Sequence, residues 1–144
     1  MNQNPKKFSV CLLIKTQSLP DKHPEFIVTL NGTAEHPSGQ QQDIVVFDML
    51  ACLGDNLLTI DLTNKNSNDT VVDDQGKIVG DLNIQLVKFS IEGFDATDKI
   101  KQQVKYLTCD GQFENTYGFM HKNGQLIIEF QCPLFYFLRD CVAR

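Results

Sequence analysis

Oxygen-bearing side chains crowd a long acidic loop predicted at residues 63–80. The first part of this loop, residues 63–76 (TNKNSNDTVVDDQG), is the least apolar part of the sequence. Side-chain oxygens in a flexible loop are the ligands that Ca²⁺ uses in proteins. Asp69 and Asp74 lie within this acidic loop, and Asp81 follows it directly. We therefore take Asp69, Asp74 and Asp81 as the candidate Ca²⁺ ligands.

The spacing of these residues does not match an EF-hand. If Asn64 is placed at the first loop position, Asp69 stands where the motif needs Gly, and Gln75 stands where it needs Glu. The alternative to a cation site is a solvated turn, because Asn and Asp side chains readily bond their own backbone. Residues 73–76 (DDQG) suit such a turn.

No catalytic motif is found. The three histidines (His23, His36, His121) each lie in or beside a predicted turn, and GxSxG, HExxH, P-loop and GxGxxG patterns do not occur. We therefore predict that the protein is not an enzyme. A small hydrolase with a pair of carboxylates stays open as a third possibility, since the sequence does not show which carboxylates meet in space.

Aromatic side chains suggest two contact surfaces. Tyr117 and Phe119 alternate along a predicted strand near a turn, where their rings could stack on a sugar. The C-terminal segment holds Phe135, Tyr136 and Phe137, and it is more apolar than a free terminus should be. These three residues either pack onto the domain or form a subunit interface.

Composition limits the class of partner. The chain has 144 residues, with 42% hydrophobic and 22% charged residues, so it is long enough for a buried core. A net charge of −5 argues against binding nucleic acid or anionic membranes. The five cysteines form no CxxC pair, which indicates reduced thiols in a protein made in a cytoplasm. We expect residues 1–7 to be a flexible N-terminus and not a signal peptide.

The elements that must position these residues are strands. Apolar residues alternate with polar ones in most segments, for example at Phe8, Val10, Leu12 and Ile14. This pattern predicts one all-β domain over residues 1–144, an antiparallel two-sheet β-sandwich that is jelly-roll-like and has at most one or two short helices.

Three local features are predicted within this domain. The apolar phase changes at Leu86–Val87, which indicates a β-bulge. Residues 96–104 are the one candidate helix of any size. Asn123-Gly124 predicts a type I′ hairpin between the strand at 117–121 and the strand that follows.

The segment from Leu58 to Gly93 resembles the Ca²⁺-dependent xylan-binding type of carbohydrate-binding module. That pattern is a strand ending in Asn-Asp, a loop, and Gly-Asp-Arg-Asn-Leu entering a strand that ends in Gly. In this sequence Lys65 stands at the Asp of Asn-Asp, and Leu82 stands at the Arg of Gly-Asp-Arg-Asn-Leu. The matching residues are Asn64, Gly80, Asp81, Asn83 and Gly93.

This resemblance implies a sandwich fold, with a Ca²⁺-dependent glycan site as a further expectation. Residues 68–79 and the later Asn123-Gly124, Phe130 and Pro133 also resemble small domains of this type in structural proteins of tailed phages. That second resemblance implies a virion protein assembled in a host cytoplasm.

The two departures from the pattern and the absence of Trp favour protein assembly over sugar recognition. We therefore expect a non-enzymatic virion structural protein, a capsid decoration or a tail component, that contacts copies of itself or other virion proteins. The alternative is a Ca²⁺-dependent module that binds a cell-surface glycan.

Overall fold

The computed structural model describes residues 7–37 and 43–133. Two antiparallel sheets pack face to face, and a small hairpin lies between two of the long strands in the sequence. The predicted all-β sandwich is therefore confirmed. Residues 1–6 lie outside the described residues, and Lys7 already belongs to the first strand.

The first sheet has the strand order β12-β8-β1-β4, with β9 paired to β8. All pairings in it are antiparallel. Its strands are β1 (Lys7–Gln17), β4 (Ile44–Cys52), β8 (Asn83–Ile91), β9 (Phe94–Asp95) and β12 (Phe119–Met120).

The second sheet has the order β11-β10-β13-β5-β2-β3. Its strands are β2 (Phe26–Leu30), β3 (Thr33–Glu35), β5 (Gly54–Leu62), β10 (Lys105–Thr108), β11 (Phe113–Glu114) and β13 (Gly124–Cys132). The separate hairpin pairs β6 (Val71–Val72) with β7 (Ile78–Gly80).

Helical structure is confined to two short segments of the described chain. A 3₁₀ turn spans Ser67–Asp69, and helix α1 spans Thr97–Gln103, inside the predicted range. With seven residues, α1 is too short to cross a membrane.

Alternating side chains from both sheets form the core. Burial alternates along β1, β4 and β13, so every second side chain of each strand points inward. Two edge-to-face ring pairs join the sheets: Phe26 with Phe47 at 5.9 Å between ring centres, and Phe89 with Phe130 at 5.2 Å. Such pairs add about 0.5–1.5 kcal/mol beyond the area that they bury.

The predicted bulge in β8 is confirmed. Leu13 of β1 is paired with Lys88 and the next residue, Ile14, with Leu86, so Val87 is the extra residue. Val87 and Lys88 both point to solvent, and Phe89 returns to the core. The bulge thus keeps apolar residues inward on both sides of the phase change.

The predicted hairpin at Asn123-Gly124 is wrong. β12 pairs with β8 in the first sheet, whereas β13 pairs with β5 and β10 in the second, so the chain crosses between sheets here. Glycine is needed at 124 for close packing, because a Cβ there would lie 2.3 Å from the carbonyl oxygen of Leu107. Two successive residues with positive φ occur instead at Asn31-Gly32, Glu92-Gly93 and Tyr117-Gly118. The first two are type I′ hairpin turns, which join β2 to β3 and β8 to β9.

Asn56 provides a test of the turn between β4 and β5. Its buried amide accepts from Cys52 N (2.8 Å) and Asn31 Nδ2 (2.7 Å), and it donates to the carbonyls of Cys52 (2.9 Å) and Gly54 (3.0 Å). Asn56→Ala removes all four hydrogen bonds and should lower the free energy of unfolding by about 2–3 kcal/mol. Urea unfolding measures this, with the exposed Asn115→Ala as control, for which we expect less than about 1 kcal/mol. Equal losses in both variants would contradict the prediction.

Candidate functional site

The loop from β5 to β8 covers one end of the sandwich and carries the predicted cation ligands. Asn64 ties the start of the loop to the segment before β2, since its side chain accepts from Glu25 N (2.8 Å) and donates to the carbonyl of His23 (2.7 Å). The loop therefore has a fixed position on the sheets.

Asp69 closes the 3₁₀ turn and pairs with a lysine. Its Oδ2 accepts from Asn66 N (2.7 Å) and from Lys22 Nζ (2.6 Å). The hydrogen bond from Lys22, and then that from Asn66, hold the pKa of Asp69 below its ordinary value. Its charge is thus already compensated by a cation of the chain.

Asp81 lies in a similar but more enclosed arrangement. Its Oδ1 is 2.8 Å from Lys65 Nζ and accepts from Thr70 Oγ1 (2.8 Å) and Leu82 N (2.9 Å), while Oδ2 accepts from Asn83 Nδ2 (3.0 Å). Burial alone raises the pKa of Asp81, but these hydrogen bonds, that from Lys65 first among them, bring it below the ordinary value.

Asp74 lies apart from the other two candidate ligands, in an exposed turn. The turn at 73–76 has the predicted form: Asp73 Oδ1 accepts from the backbone N–H groups of Gln75 and Lys77, both at 2.9 Å, and Gly76 has φ +80°. Within residues 7–37 and 43–133, no group of three or more His, Cys, Asp or Glu side chains is arranged to hold a metal. The structure therefore does not bring Asp69, Asp74 and Asp81 together.

Lys65, in the loop after β5, is held by hydrogen bonds to residues that follow β12. Its backbone N–H donates to Asn123 Oδ1 (2.8 Å), and its carbonyl accepts from Asn123 Nδ2 (2.8 Å). The side chain is only 8% exposed, and Nζ also donates to the carbonyl of His121 (2.5 Å). Sequence reasoning missed the roles of Lys65 and Asn123; its one signal was the lysine at a position where the resemblance requires Asp.

Three aromatic rings pack together around His121, whose carbonyl accepts from Lys65 Nζ. The rings of Phe119 and His121 are stacked, with centres 6.2 Å apart and planes at 21°, and Tyr106 meets His121 edge to face at 5.7 Å. The Tyr106 hydroxyl donates to the carbonyl of Lys122 and accepts from its N–H (2.9 Å). Burial raises the pKa of Tyr106 to about 12, so this ring is a neutral, fixed support for His121.

The predicted partnership of Tyr117 and Phe119 on one strand face is not observed. Tyr117 lies in a turn before β12, with φ +54°, and is 62% exposed. The following Gly118 packs closely on Leu86, where an added Cβ would lie 3.1 Å from the leucine Cβ. This tight turn separates the two rings, and of the two only Phe119 lines the pocket described next.

A pocket of about 590 Å³ opens between the loop and β12, and we call it the Phe119 pocket. It combines ring and aliphatic surface with amide, hydroxyl and charged groups. Its lining residues are Lys65, Asn66, Ser67, Thr70, Ile78, Asp81, Cys109, Asp110, Phe119, His121, Lys122 and Asn123.

A larger groove of about 860 Å³ lies on the outer face of the second sheet, beside α1. Its walls are mainly amides and charged groups, among them Gln102, Gln103 and Gln131, and its one aromatic residue, Phe130, is buried in the core. The groove can form hydrogen bonds, but within residues 7–37 and 43–133 it offers no exposed ring face. The interface residues predicted from sequence, Phe135, Tyr136 and Phe137, lie outside the described residues.

The lowered pKa of Asp81 predicts an acid-sensitive site. A carboxyl whose pKa is lower in the folded state stabilises the protein above its unfolded pKa of about 3.9, and this stabilisation is lost as the pH falls through the folded pKa. In urea unfolding from pH 7 to pH 3 (about the range in which carboxyls titrate), wild-type stability should fall more steeply than that of Asp81→Asn. Parallel curves for the two proteins would contradict this assignment.

No protein-family model matches this sequence, and no curated protein matches it. One similar solved structure is the selenomethionine form of vCBM60, described with a circular permutation that links two families of calcium-dependent carbohydrate-binding modules. The match has 11% identity and a TM-score of 0.48, and it covers 83% of this chain and 88% of that one. Similarity at this level assigns neither a ligand nor site residues to this chain.

Proposed function

We propose that this protein is a non-enzymatic glycan-binding module whose ligand occupies the Phe119 pocket. The observation that carries the proposal is the stacked pair of Phe119 and His121 beside the polar groups of Lys65 and Asn123. A sugar ring presents C–H groups on its faces and hydroxyl groups at its rim. A ring face bordered by amide and charged groups complements both features.

The size and chemistry of the pocket agree with this class of ligand. A volume of about 590 Å³ is in the usual range for small-molecule sites, roughly 300–1,000 Å³. Asn66, Ser67 and Thr70 add polar groups along one wall, and Ile78 adds apolar surface. A ligand with both kinds of surface therefore fits better than a purely apolar one.

The carboxylates of the pocket argue for binding over hydrolysis. Asp81 is paired with Lys65 at 2.8 Å, and Asp110 is paired with Lys122 at 3.1 Å. A glycosidase needs a carboxylic acid whose raised pKa keeps it protonated near neutral pH, whereas the pKa of Asp81 is lowered. This supports a role without catalysis.

Phe119→Ala tests the site. A glycan array identifies a ligand, and calorimetry then measures its affinity for wild-type protein and variants. Loss of the buried ring surface should cost about 1.5–3 kcal/mol, so affinity should fall by about tenfold to a hundredfold.

Phe113→Ala is the matched control, because Phe113 is exposed on β11 and does not line the pocket. Its affinity should equal that of wild type. A glycan whose binding is lost in Gln103→Ala and kept in Phe119→Ala would locate the site in the larger groove, and the proposal would be wrong. The absence of any glycan ligand would equally contradict it.

A second candidate function is the assembly role predicted from the sequence, and β4 favours it. Among the described strands β4 is an edge of the first sheet, so one side of its nine-residue backbone has no strand partner there. Its outward face carries Ile44, Val46 and Leu50, each at least half exposed. Edge strands are usually protected by charged residues, Pro or a bulge. β4 (IVVFDMLAC) contains neither Lys nor Pro, and its one charged residue, Asp48, lies on the outward face between Val46 and Leu50.

An antiparallel pairing of β4 with β4 of a second copy would satisfy this edge and place the exposed side chains of the two strands next to each other. A two-fold contact of this kind is self-complementary. The proposal concerns self-association; a virion location stays a prediction from the sequence.

Val46→Lys tests this second candidate. Wild-type protein should associate in the micromolar range by sedimentation velocity, and the variant should be monomeric because a lysine disfavours edge pairing. Val79→Lys, at an equally exposed site on β7, should associate like wild type. Wild-type protein that stays monomeric throughout this range would exclude the β4 interface.

A further inference from the structure

The Ca²⁺ ion that the sequence resemblance implies does not fit the residues present. Ca²⁺ takes six to eight oxygen ligands at about 2.3–2.6 Å, and Asp81 would have to be one of them. The ammonium of Lys65 already lies 2.8 Å from Asp81 Oδ1. A divalent cation at this carboxylate would therefore be placed beside a buried positive charge, which is strongly unfavourable.

We propose that the Lys65 ammonium is the resident cation of the Phe119 pocket, so that its binding function requires no divalent metal. This inference rests on the proposed glycan site and concerns which cation balances the carboxylate of Asp81 in that site. The ammonium neutralises the carboxylate of Asp81 and donates to the carbonyl of His121. Two oxygens at this end of the pocket are thus already bound to Lys65.

The geometry gives the ammonium a free donor on the ligand side. An ammonium carries three N–H donors. Among residues 7–37 and 43–133, Lys65 Nζ has two partners, Asp81 and the His121 carbonyl. Lys65 also lines the pocket, so its third N–H is available to an oxygen of the ligand. In a calcium-dependent site, a metal ion would coordinate the ligand oxygen, whereas here the lysine N–H would donate to it.

The surrounding bonds keep the lysine in this place. Asn123 holds the Lys65 backbone at two points, and Asp81 is oriented by Thr70, Leu82 N and Asn83 Nδ2. The Lys65 ammonium can turn away only by losing its bonds to Asp81 and the His121 carbonyl, and Asp81 can turn away only by losing those three bonds as well. The arrangement is therefore preorganised, and it offers Asp81 no free rotation toward an incoming metal.

The test uses Ca²⁺ alone and needs no glycan. Thermal denaturation is followed in EDTA and in millimolar Ca²⁺ for wild type, Lys65→Asp and Lys15→Asp. A ligand that binds only the folded state raises Tm. Wild type should show no shift, and Lys65→Asp should gain a Ca²⁺-dependent rise of several degrees, because it replaces the ammonium by oxygen ligands.

Lys15→Asp is the matched control: it makes the same change of charge at an exposed position of β1 outside the pocket lining, and it should show no Ca²⁺-dependent rise. If Lys65→Asp does not fold, Lys65→Asn, which supplies a neutral oxygen, replaces it with the same expectation. A Ca²⁺-dependent rise in wild type that Asp81→Asn abolishes would overturn the proposal. So would folded position-65 variants without any response to Ca²⁺.

A second measurement separates a ligand contact from a purely structural ion pair. For a glycan identified on the array, affinity should be the same in EDTA and in Ca²⁺, and Lys65→Met should lower it about tenfold or more. Affinity that is unchanged in a folded Lys65→Met protein would overturn the assigned contact. The Ca²⁺ experiment contains no sugar, so failure of the glycan proposal and failure of this inference are distinguishable.

Discussion

The two hydrogen bonds between the Asn123 side chain and the Lys65 backbone hold the candidate site together. They join the loop that follows β5 to the point where the chain crosses from β12 in the first sheet to β13 in the second. Because of this link, the ammonium of Lys65 reaches both Asp81 and the carbonyl of His121. Without it, the start of the loop would keep its tie to the segment before β2 through Asn64, but the wall of the pocket at Lys65 would lose two of the bonds that hold it beside the ring pair.

Much of the fold could be predicted because its signals are local. Alternation along β1 assigns each side chain to the core or to solvent without any knowledge of its partners. The phase change at Val87 was visible for the same reason, since a bulge leaves its trace within one strand. The turn at 73–76 could be predicted because Asp side chains bond the backbone N–H groups that follow them and Gly adopts a positive φ.

The candidate site was less predictable because its contacts join distant parts of the chain. Asn123-Gly124 has the sequence of a tight hairpin turn, yet the packing of Gly124 against Leu107 decides its conformation. Asp69 pairs with Lys22, and Asp81 pairs with Lys65. No local sequence pattern predicts either pair. Carboxylates that resemble metal ligands in the sequence thus became members of ion pairs in the fold.

The residues that carry the sequence resemblance can also be explained by folding requirements alone. Asn64 bonds the segment before β2, and Gly93 occupies a type I′ turn. Gly80 passes close to Leu19, where an added Cβ would lie 3.3 Å from a methyl group. These residues position the loop and its turns, and this role does not depend on whether the loop holds a metal. The chemistry of the site is then decided at position 65, where a lysine supplies the positive charge and the carboxylate of Asp81 needs no other cation.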